Sequence, residues 1–274
     1  MTVWVHGAHL RLEKNADYWD RERVRLNVID IPYFTTDTTA ALNLFKDGQI
    51  AIVDYLGAEQ LDEVLQQRWE LLRFGDGSVW FLAFNFDSGR ATSNWHLRKA
   101  LQLVTDPSEL VNRIIKLPGN LPGESLFPVW LQGIDGFFRQ EYPAPQLTLD
   151  AEAAREHLRL AMEELGLDEP PSLALLVDDS PGAGRQAEYF QNLYGTQLGI
   201  DIRIDRQIFK QRLAKMQNQD FDLATYGWGP DFADPLTFGE LFASWNPNNN
   251  GRFSNQEYDQ SVRLAQSSLD HAFA

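Results

Sequence analysis

The residues with the clearest capacity for ligand chemistry lie in the segment 226–232, Tyr-Gly-Trp-Gly-Pro-Asp-Phe. The apolar run 221–226 predicts a strand that ends where this segment begins, and open α/β sheets bind ligands at the carboxyl ends of their strands. The carboxylate of Asp231, beside Trp228, can therefore accept a charge-assisted hydrogen bond from a cationic group, which contributes about 1.5 to 3 kcal/mol. The alternative is that Asp231 is a turn residue that follows Pro230 for local reasons.

Three aromatic residues of the same segment are further candidates for ligand contact. The indole of Trp228 can pack on a ligand backbone or form the wall of a pocket, and Tyr226 and Phe232 flank it. Aromatic rings in such a cluster also pack in hydrophobic cores, so core packing is the alternative for each of them.

The sequence contains no motif typical of catalysis. We find no Gly-x-Ser-x-Gly elbow, no His-Glu-x-x-His helix and no Gly-x-x-x-x-Gly-Lys phosphate loop. The neighbouring carboxylates Asp178 and Asp179 precede Ser180-Pro181-Gly182, which predicts a loop rather than a catalytic pair. Nothing in the sequence converges on an active site, and we expect that the protein is not an enzyme.

The histidines do not predict a metal site. His6 and His9 have His-x-x-His spacing, but residues three apart in a strand point to opposite faces and cannot share a metal ion. His96, His157 and His271 are isolated in the sequence, and there is no cysteine to supply a thiolate. We expect no bound metal and no cofactor.

Composition excludes several classes of partner. The 274 residues include 24 basic and 39 acidic side chains, for a formal net charge of -15, which repels phosphate backbones and anionic membranes. The first residues lack the apolar core and cleavage site of a signal peptide. No apolar run approaches the roughly 18 residues that a membrane-spanning helix needs.

Helical and strand-like segments alternate through the chain and predict an α/β protein. The predicted strands are 3–12, 24–31, 50–55, 79–86, 173–177, 200–204 and 221–226. The predicted helices are 35–45, 58–69, 94–104, 107–115, 151–165, 186–198 and 209–217, followed by two more after residue 236. The apolar run 79–86 is typical of a central strand covered on both faces, and we expect it to share one sheet with the last three strands. Residues 117–146 are rich in proline and glycine and predict a long irregular segment.

Several of these segments, in this order, resemble the peptide- and nickel-type family of bacterial solute-binding proteins. The matching stretches are Leu12-Glu13-Lys14-Asn15-Ala16-Asp17-Tyr18-Trp19; Ala41-Leu42 through Asp47-Gly48-Gln49-Ile50 with Asp54; Phe84-Asn85-Phe86; Leu97-Arg98-Lys99-Ala100-Leu101 with Asp106; and Phe221-Asp222-Leu223 leading to Gly227-Trp228-Gly229-Pro230-Asp231 and Asp234-Pro235. The family supplies the extracytoplasmic component of oligopeptide and dipeptide uptake systems.

The resemblance implies a fold of type II periplasmic-binding-protein lobes, each with a mixed sheet flanked by helices. Residues 1–80 correspond to the carboxyl-terminal part of lobe I and residues 81–274 to most of lobe II. Family members are considerably longer, so we expect this chain to be part of a longer protein.

The resemblance also implies a function, which is capture of a short peptide between two lobes for an ABC transporter permease. Asp231 matches the family's acid for the ligand α-ammonium, and Asn85 either pairs with the ligand main chain or fixes the hinge. The expected protein is monomeric, binds no nucleic acid and lies outside the cytoplasm, in the periplasm or at the cell surface, with an export signal that is not in this chain.

Two departures from the family pattern bear on specificity. Asn94 stands where the family usually has an aspartate, and Thr225 where some oligopeptide binders carry a basic residue, which affects recognition of a ligand carboxylate. The alternatives are another solute on the same fold, such as a short β-glucan oligosaccharide or a metal chelate, or a hydrolase with unrecognised carboxylates.

Overall fold

The amino-terminal residues form an antiparallel sheet of three strands in the order β1-β2-β3. The strands are β1 (Val3–Val5), β2 (His9–Glu13) and β3 (Val28–Ile31). Gly7 turns the chain between β1 and β2 with a φ of 72°, a conformation that glycine adopts at little cost. Leu10 of the central strand faces Trp4 on one side and Ile31 on the other. Strands are confirmed in this region, but a turn divides the segment predicted at 3–12 into β1 and β2, and β3 is shorter than the predicted 24–31.

Two helices follow this sheet, α1 (Thr38–Lys46) and α2 (Ala58–Gln66). The side chain of Asp37 begins α1, because it accepts the N–H groups of the first turn that have no helical partner. The buried strand predicted at 50–55 is wrong. These residues form no ladder with any described strand, and Ile52 is 75% exposed.

A second, mixed sheet has the strand order β4-β7-β5-β6. Its strands are β4 (Val79–Phe84), β5 (Ser172–Asp178), β6 (Asp201–Gln207) and β7 (Leu223–Trp228). Strand β5 runs parallel to β6 and β7, whereas β4 is antiparallel to β7. The prediction that these four strands share one sheet is confirmed. The prediction of a central position for the 79–86 run is wrong, because β4 lies at the edge of the sheet.

Eight α-helices of the described residues accompany this sheet, together with a π-helix, Leu110–Ile115, which continues α4 over the helix predicted at 107–115, and two 3₁₀ turns, Ala91–Ser93 and Glu240–Phe242. They are α3 (Trp95–Val104), α4 (Pro107–Glu109), α5 (Phe138–Glu141), α6 (Ala151–Leu165), α7 (Pro181–Leu198), α8 (Phe209–Gln217), α9 (Leu236–Gly239) and α10 (Gln256–Ser267). The main core joins α3, α6 and α7 to one face of the sheet, and a smaller cluster on Met216 of α8 covers the other face. Helices therefore pack on both faces, as an α/β architecture requires.

Residues at the helix ends explain why the elements begin and end where they do. The Asp150 carboxylate accepts two backbone N–H groups at the start of α6, and Gly166 and Gly199 end α6 and α7 in the left-handed conformation. Helix α7 begins five residues earlier than predicted. Ser180 is its N-cap and Pro181 its first residue, so the predicted loop at 178–184 is mostly helix.

The structure is a computed structural model that describes residues 1–35 and 37–268. It divides the chain into two compact units, Met1–Leu71 and Leu72–Ala274. The assignment of residues 1–80 and 81–274 to two lobes stays a prediction. In the described ranges, every helix is too short or too polar to cross a membrane.

Candidate ligand-binding site

Strand β7 carries the candidate residues to the carboxyl end of the mixed sheet. It pairs along its whole length with β4, so that Tyr226 lies opposite Phe81 and Trp228 opposite Val79. Gly227 lies between them, opposite Trp80, and the Trp80 indole occupies the space that a Cβ at Gly227 would need. Glycine at position 227 therefore allows an aromatic ring, 71% exposed, to lie against the backbone of β7.

Tyr226 is a packing residue in this structure. Its ring lies edge-on to Phe81 with centroids 5.3 Å apart, and Phe81 in turn contacts Phe242 at 5.5 Å. Burial raises the pKa of the Tyr226 hydroxyl, and the nearby cation of Arg212 partly opposes this. Core packing was the alternative considered for this residue, and these contacts favour it.

Trp228 is half-buried, and its ring nitrogen is shielded from solvent. Among the described residues the structure records no hydrogen-bond acceptor for Nε1 of this indole. A shielded N–H group without a partner is costly in a folded protein and therefore calls for an explanation. Trp228 therefore keeps an unused donor next to the loop that carries Asp231.

The side chain of Asp231, on the loop after β7, is exposed, whereas its backbone is hydrogen-bonded to the protein. The backbone N–H of Asp231 donates to Oγ1 of Thr237 at 3.0 Å. Phe232, the next residue, is 47% exposed. On the other side, Gly77 has a φ of 76°, and a Cβ there would meet both the Trp130 indole and the Pro230 ring. Pro230, which precedes Asp231, and Trp130 thus both lie close to Gly77.

Asn85 lies at the other end of the sheet from Asp231. Its backbone N–H donates to the carbonyl of Asp222, just before β7 begins, whereas Asp231 follows the end of β7. Six residues of extended strand separate positions 222 and 228, a distance of about 20 Å. One small ligand group therefore cannot contact both side chains.

The side chain of Asn85 is fully buried and its polar atoms all have partners. Nδ2 donates to the carbonyls of Gln219 and Phe221, at 3.1 and 2.9 Å, and Oδ1 accepts from the N–H of Asp87. These bonds tie the end of β4 to the loop before β7. Of the two roles considered for Asn85, the structure favours the fixing of the chain over contact with a ligand.

The structure corrects the prediction that His96 and His157 are isolated. The Nδ1 atoms of the two rings are 2.8 Å apart, although 61 residues separate them, and both rings lie edge-on to Trp95. Nε2 of His96 lies 3.7 Å from a carboxylate oxygen of Glu164. His271 lies outside the described residues. Within those residues, no group of three or more His, Asp or Glu side chains is arranged to hold a metal ion.

The other residues singled out in the sequence have structural contacts. His9 pairs with Asp30 at 2.8 Å, and His6 lies against the Trp4 ring. Asn94 is the N-cap of α3 and also donates to Glu164. Thr225 accepts, through its backbone carbonyl, a hydrogen bond from the Arg212 guanidinium.

Three residues near Asp231 were not predicted as part of the site: Trp80, Trp130 and Thr237. Trp130 belongs to the irregular segment 117–146, and its Nε1 donates to the Gly77 carbonyl at 3.3 Å. Thr237 lies six residues after Asp231, and no sequence pattern indicates that its hydroxyl accepts the N–H of Asp231. The exposed indole of Trp80 had one sequence signal, its place in a strand whose other residues are mostly apolar.

Comparison with known proteins identifies the family. Residues 1–250 match the model of the bacterial extracellular solute-binding proteins, family 5 Middle. The chain belongs to this family. Membership of this family explains why several stretches of the sequence resemble it in the same order along the chain.

The relatives of this family 5 chain include two curated proteins that bind peptides by name. The oligopeptide-binding protein OppA of Bacillus subtilis (strain 168) is 27% identical over 286 residues, 98% of this chain and 50% of the relative. The dipeptide-binding protein of Lactococcus lactis subsp. cremoris (strain MG1363) is 28% identical over 267 residues, 93% of this chain and 48% of the relative. The chain therefore spans about half the length of these curated relatives.

A solved structure confirms the expected fold. The substrate-binding domain of an oligopeptide ABC transporter from Bacillus anthracis str. Ames matches with a TM-score of 0.88 and 29% identity, over 99% of this chain and 54% of that one. Listeria monocytogenes OppA bound to peptide matches with a TM-score of 0.82 and 27% identity, over 93% and 50%. The family 5 chain has the α/β fold of type II periplasmic-binding-protein lobes, with a mixed sheet flanked by helices.

Proposed function

We propose that this chain is part of the substrate-binding component of a bacterial ABC importer that captures short peptides. The names of the relatives support this proposal, since those of known specificity bind oligopeptides or dipeptides. In the proposal, residues 1–80 supply the end of the first lobe and residues 81–274 most of the second. An extended peptide pairs its main chain with exposed backbone groups, and the lobes close on it by hinge bending.

The observation that carries the proposal is the exposed carboxylate of Asp231 on a loop whose backbone is fixed. A peptide with a free amino terminus presents one α-ammonium group whatever its sequence, so an acid in a fixed position anchors peptides without selecting side chains. Trp228 and Phe232 lie next to this carboxylate in the chain and offer apolar surface to the first residue of the ligand. Tyr226 supports them from the core, and Asn85 holds the far end of the sheet.

The remaining parts of the proposal concern location and partners. Several relatives are named as periplasmic, which supports a place outside the cytoplasm, in the periplasm or at the cell surface. The partner there is the membrane permease of the importer. A net charge of -15 disfavours nucleic acid as a second partner. We propose a monomeric binding protein without catalytic activity.

The test is Asp231→Asn in the natural protein that contains these residues. The change keeps the size of the side chain and removes the charge that faces the ammonium group. We expect the Kd of tri-alanine to rise about tenfold or more, because a charge-assisted hydrogen bond contributes about 1.5 to 3 kcal/mol. N-acetyl-tri-alanine has no ammonium group, so it should bind poorly to both proteins and lose little more.

The matched control is Asp168→Asn, which removes an exposed carboxylate from the loop before β5, at the amino end of that strand. It makes the same change in net charge, so a loss of long-range attraction would appear in both variants. Isothermal titration calorimetry measures all four combinations of variant and ligand. Unchanged binding of tri-alanine by Asp231→Asn would show that Asp231 is only a turn residue.

An oligosaccharide is the second candidate ligand, and one observation favours it. The Trp80 indole is 71% exposed and lies so close to Gly227 that a Cβ there would overlap it. Such exposed aromatic faces stack on sugar rings. Titration with short β-glucan oligosaccharides separates the two candidates, because sugar binding would respond to Trp80→Ala and not to Asp231→Asn.

A further inference from the structure

The Asp231 carboxylate is exposed, yet the backbone that carries it has one specific attachment to the protein interior. Oγ1 of Thr237 accepts the N–H of Asp231 at 3.0 Å, and Thr237 is only 2% exposed. Among the residues that the structure describes, Thr92 and Tyr194 are the other hydroxyl side chains with such complete burial. The hydroxyl therefore fixes the backbone of Asp231, the proposed anchor.

Thr237 is itself fixed by the start of α9. Its backbone N–H donates to the carbonyl of Asp234 at 3.2 Å, and the carboxylate of Asp234 accepts the N–H of Leu236 at 2.8 Å. The next residue, Phe238, is fully buried and lies 6.3 Å from the Trp130 ring. Residues 231–237 thus form a short closed loop whose second half is anchored in the core.

An exposed carboxylate gains affinity only when its position is set before the ligand arrives. A side chain on a loose loop loses conformational entropy on binding, and this loss subtracts from the energy of the new hydrogen bond. Binding groups need support from neighbouring residues to hold their position within about 0.5 Å. The hydrogen bond from Asp231 to Thr237 is the recorded bond that supplies such support to the main chain of Asp231.

We propose that Thr237 is a positioning residue that holds Asp231 in the geometry that binds the ligand ammonium group. This inference rests on the proposed function of Asp231. It assigns to the hydroxyl of Thr237 a share of the affinity for peptides with a free amino terminus, although the hydroxyl does not contact the ligand. It also predicts that peptides without that ammonium group are indifferent to Thr237.

The experiment compares Thr237→Val, Thr237→Ser and Asp231→Asn in the natural protein. Valine keeps the shape of threonine and removes the acceptor, whereas serine keeps the acceptor. Tri-alanine and N-acetyl-tri-alanine are the two ligands. We expect Thr237→Val to raise the Kd of tri-alanine about threefold to tenfold, the range that corresponds to a hydrogen bond of ordinary strength. Thr237→Ser should stay within about twofold of the unchanged protein.

The ligand series distinguishes positioning from a folding defect. With N-acetyl-tri-alanine, Thr237→Val should bind as the unchanged protein does, since no ammonium group is present to be misplaced. Equal weakening of both ligands, or failure of serine to restore binding, would overturn the proposal. If the Thr237→Val protein does not fold, Thr237→Ala replaces it and is judged by the same criteria.

The outcome for Asp231→Asn separates this inference from the proposed function. If Asp231→Asn weakens tri-alanine binding and Thr237→Val does not, the anchor stands and the positioning role of Thr237 is wrong. If Asp231→Asn leaves tri-alanine binding unchanged, the anchor itself is wrong, and the role of Thr237 is refuted with it.

Discussion

The paired imidazoles of His96 and His157 predict a loss of stability on acidification. Their Nδ1 atoms are 2.8 Å apart, so one ring donates a hydrogen and the other accepts it. This arrangement holds when both rings are neutral or when one is charged. It fails when both are protonated, because two N–H groups then point at each other. His96 begins on α3 and His157 lies on α6, so the pair joins two helices that pack in the main core.

The charged groups around the pair determine the sign of the effect. The pKa of His157 is lowered, first by burial and then by the positive charges of His96 and Lys99, with Glu156 opposing them. Glu164 lies on the other side of His96. A histidine with a lowered pKa in the folded state binds protons more readily when unfolded, so stability falls as the pH drops below the unfolded value of about 6.5. The stability levels off below the pKa of His157 in the folded state.

The size of the effect is that of one hydrogen bond, the one between His96 and His157. A hydrogen bond between neutral groups contributes about 0.5 to 1.5 kcal/mol, and 1 kcal/mol corresponds to about 2 to 4 °C in Tm for a unit of roughly 200 residues. The assay is urea denaturation between pH 7.5 and pH 5, followed by circular dichroism. We expect His157→Gln to remove about 1 kcal/mol of the pH dependence, since glutamine still bonds to His96 but does not titrate.

The control for this prediction is His6→Gln, which removes a histidine that lies against Trp4 in the other compact unit. It should leave the pH dependence of the second unit unchanged. The same fall in stability between pH 7.5 and pH 5 in His157→Gln and in the unchanged chain would refute the reasoning. The contact of the two rings would then be a packing feature without a shared proton.

Two further predictions concern buried and loop hydrogen bonds. Asn85→Ala should lower the free energy of unfolding by about 1 to 3 kcal/mol, because it leaves the Phe221 carbonyl without its donor; urea denaturation measures this, and Asn85→Asp should be no better, since a carboxylate would face carbonyl oxygens. Glu141→Gln should speed amide exchange at Ile134 and Asp135, whose N–H groups the carboxylate accepts. The pKa of Glu141 is lowered, chiefly by the N–H of Ile134, so this protection is present above the ordinary carboxyl pKa and disappears as the pH falls through the lowered one. Equal exchange in both proteins at neutral pH would contradict it.

The strands and helices of the second unit could be predicted because their boundaries have local causes. Asp150 caps α6, and Gly166 and Gly199 end two helices with positive φ, as short-range patterns indicate. The start of α7 was missed because Gly182 and Gly184 suggest a loop. Gly184 lies close to the Arg206 guanidinium of β6, a contact that depends on how α7 packs on that strand. Sequence periodicity contains no information about such a contact.

The errors of the sequence analysis have one physical origin, which is contact between residues distant in the chain. The strand predicted at 50–55 has the right composition but no described partner, and β4 is apolar although it lies at a sheet edge, where its Phe81 packs against Phe242. His96 and His157 were judged isolated since their meeting depends on how α3 packs on α6. Hydrophobic pattern predicts an element, whereas its neighbours decide where that element lies.

In the candidate site too, the sequence indicates which residues belong together but not what each of them does. The resemblance placed Asn85 and Asp231 in one family pattern, but burial gives the two residues different tasks. A chain with 39 acidic residues exposes many carboxylates, and exposed charges attract an ammonium group weakly in water. Charge therefore cannot select Asp231 from the rest. What distinguishes it is the support of its loop by Pro230 on one side and by the buried hydroxyl of Thr237 on the other. If Asp231 is the anchor that we propose, its specificity comes from that fixed geometry, because a mobile carboxylate of the same charge would gain little from the same ligand.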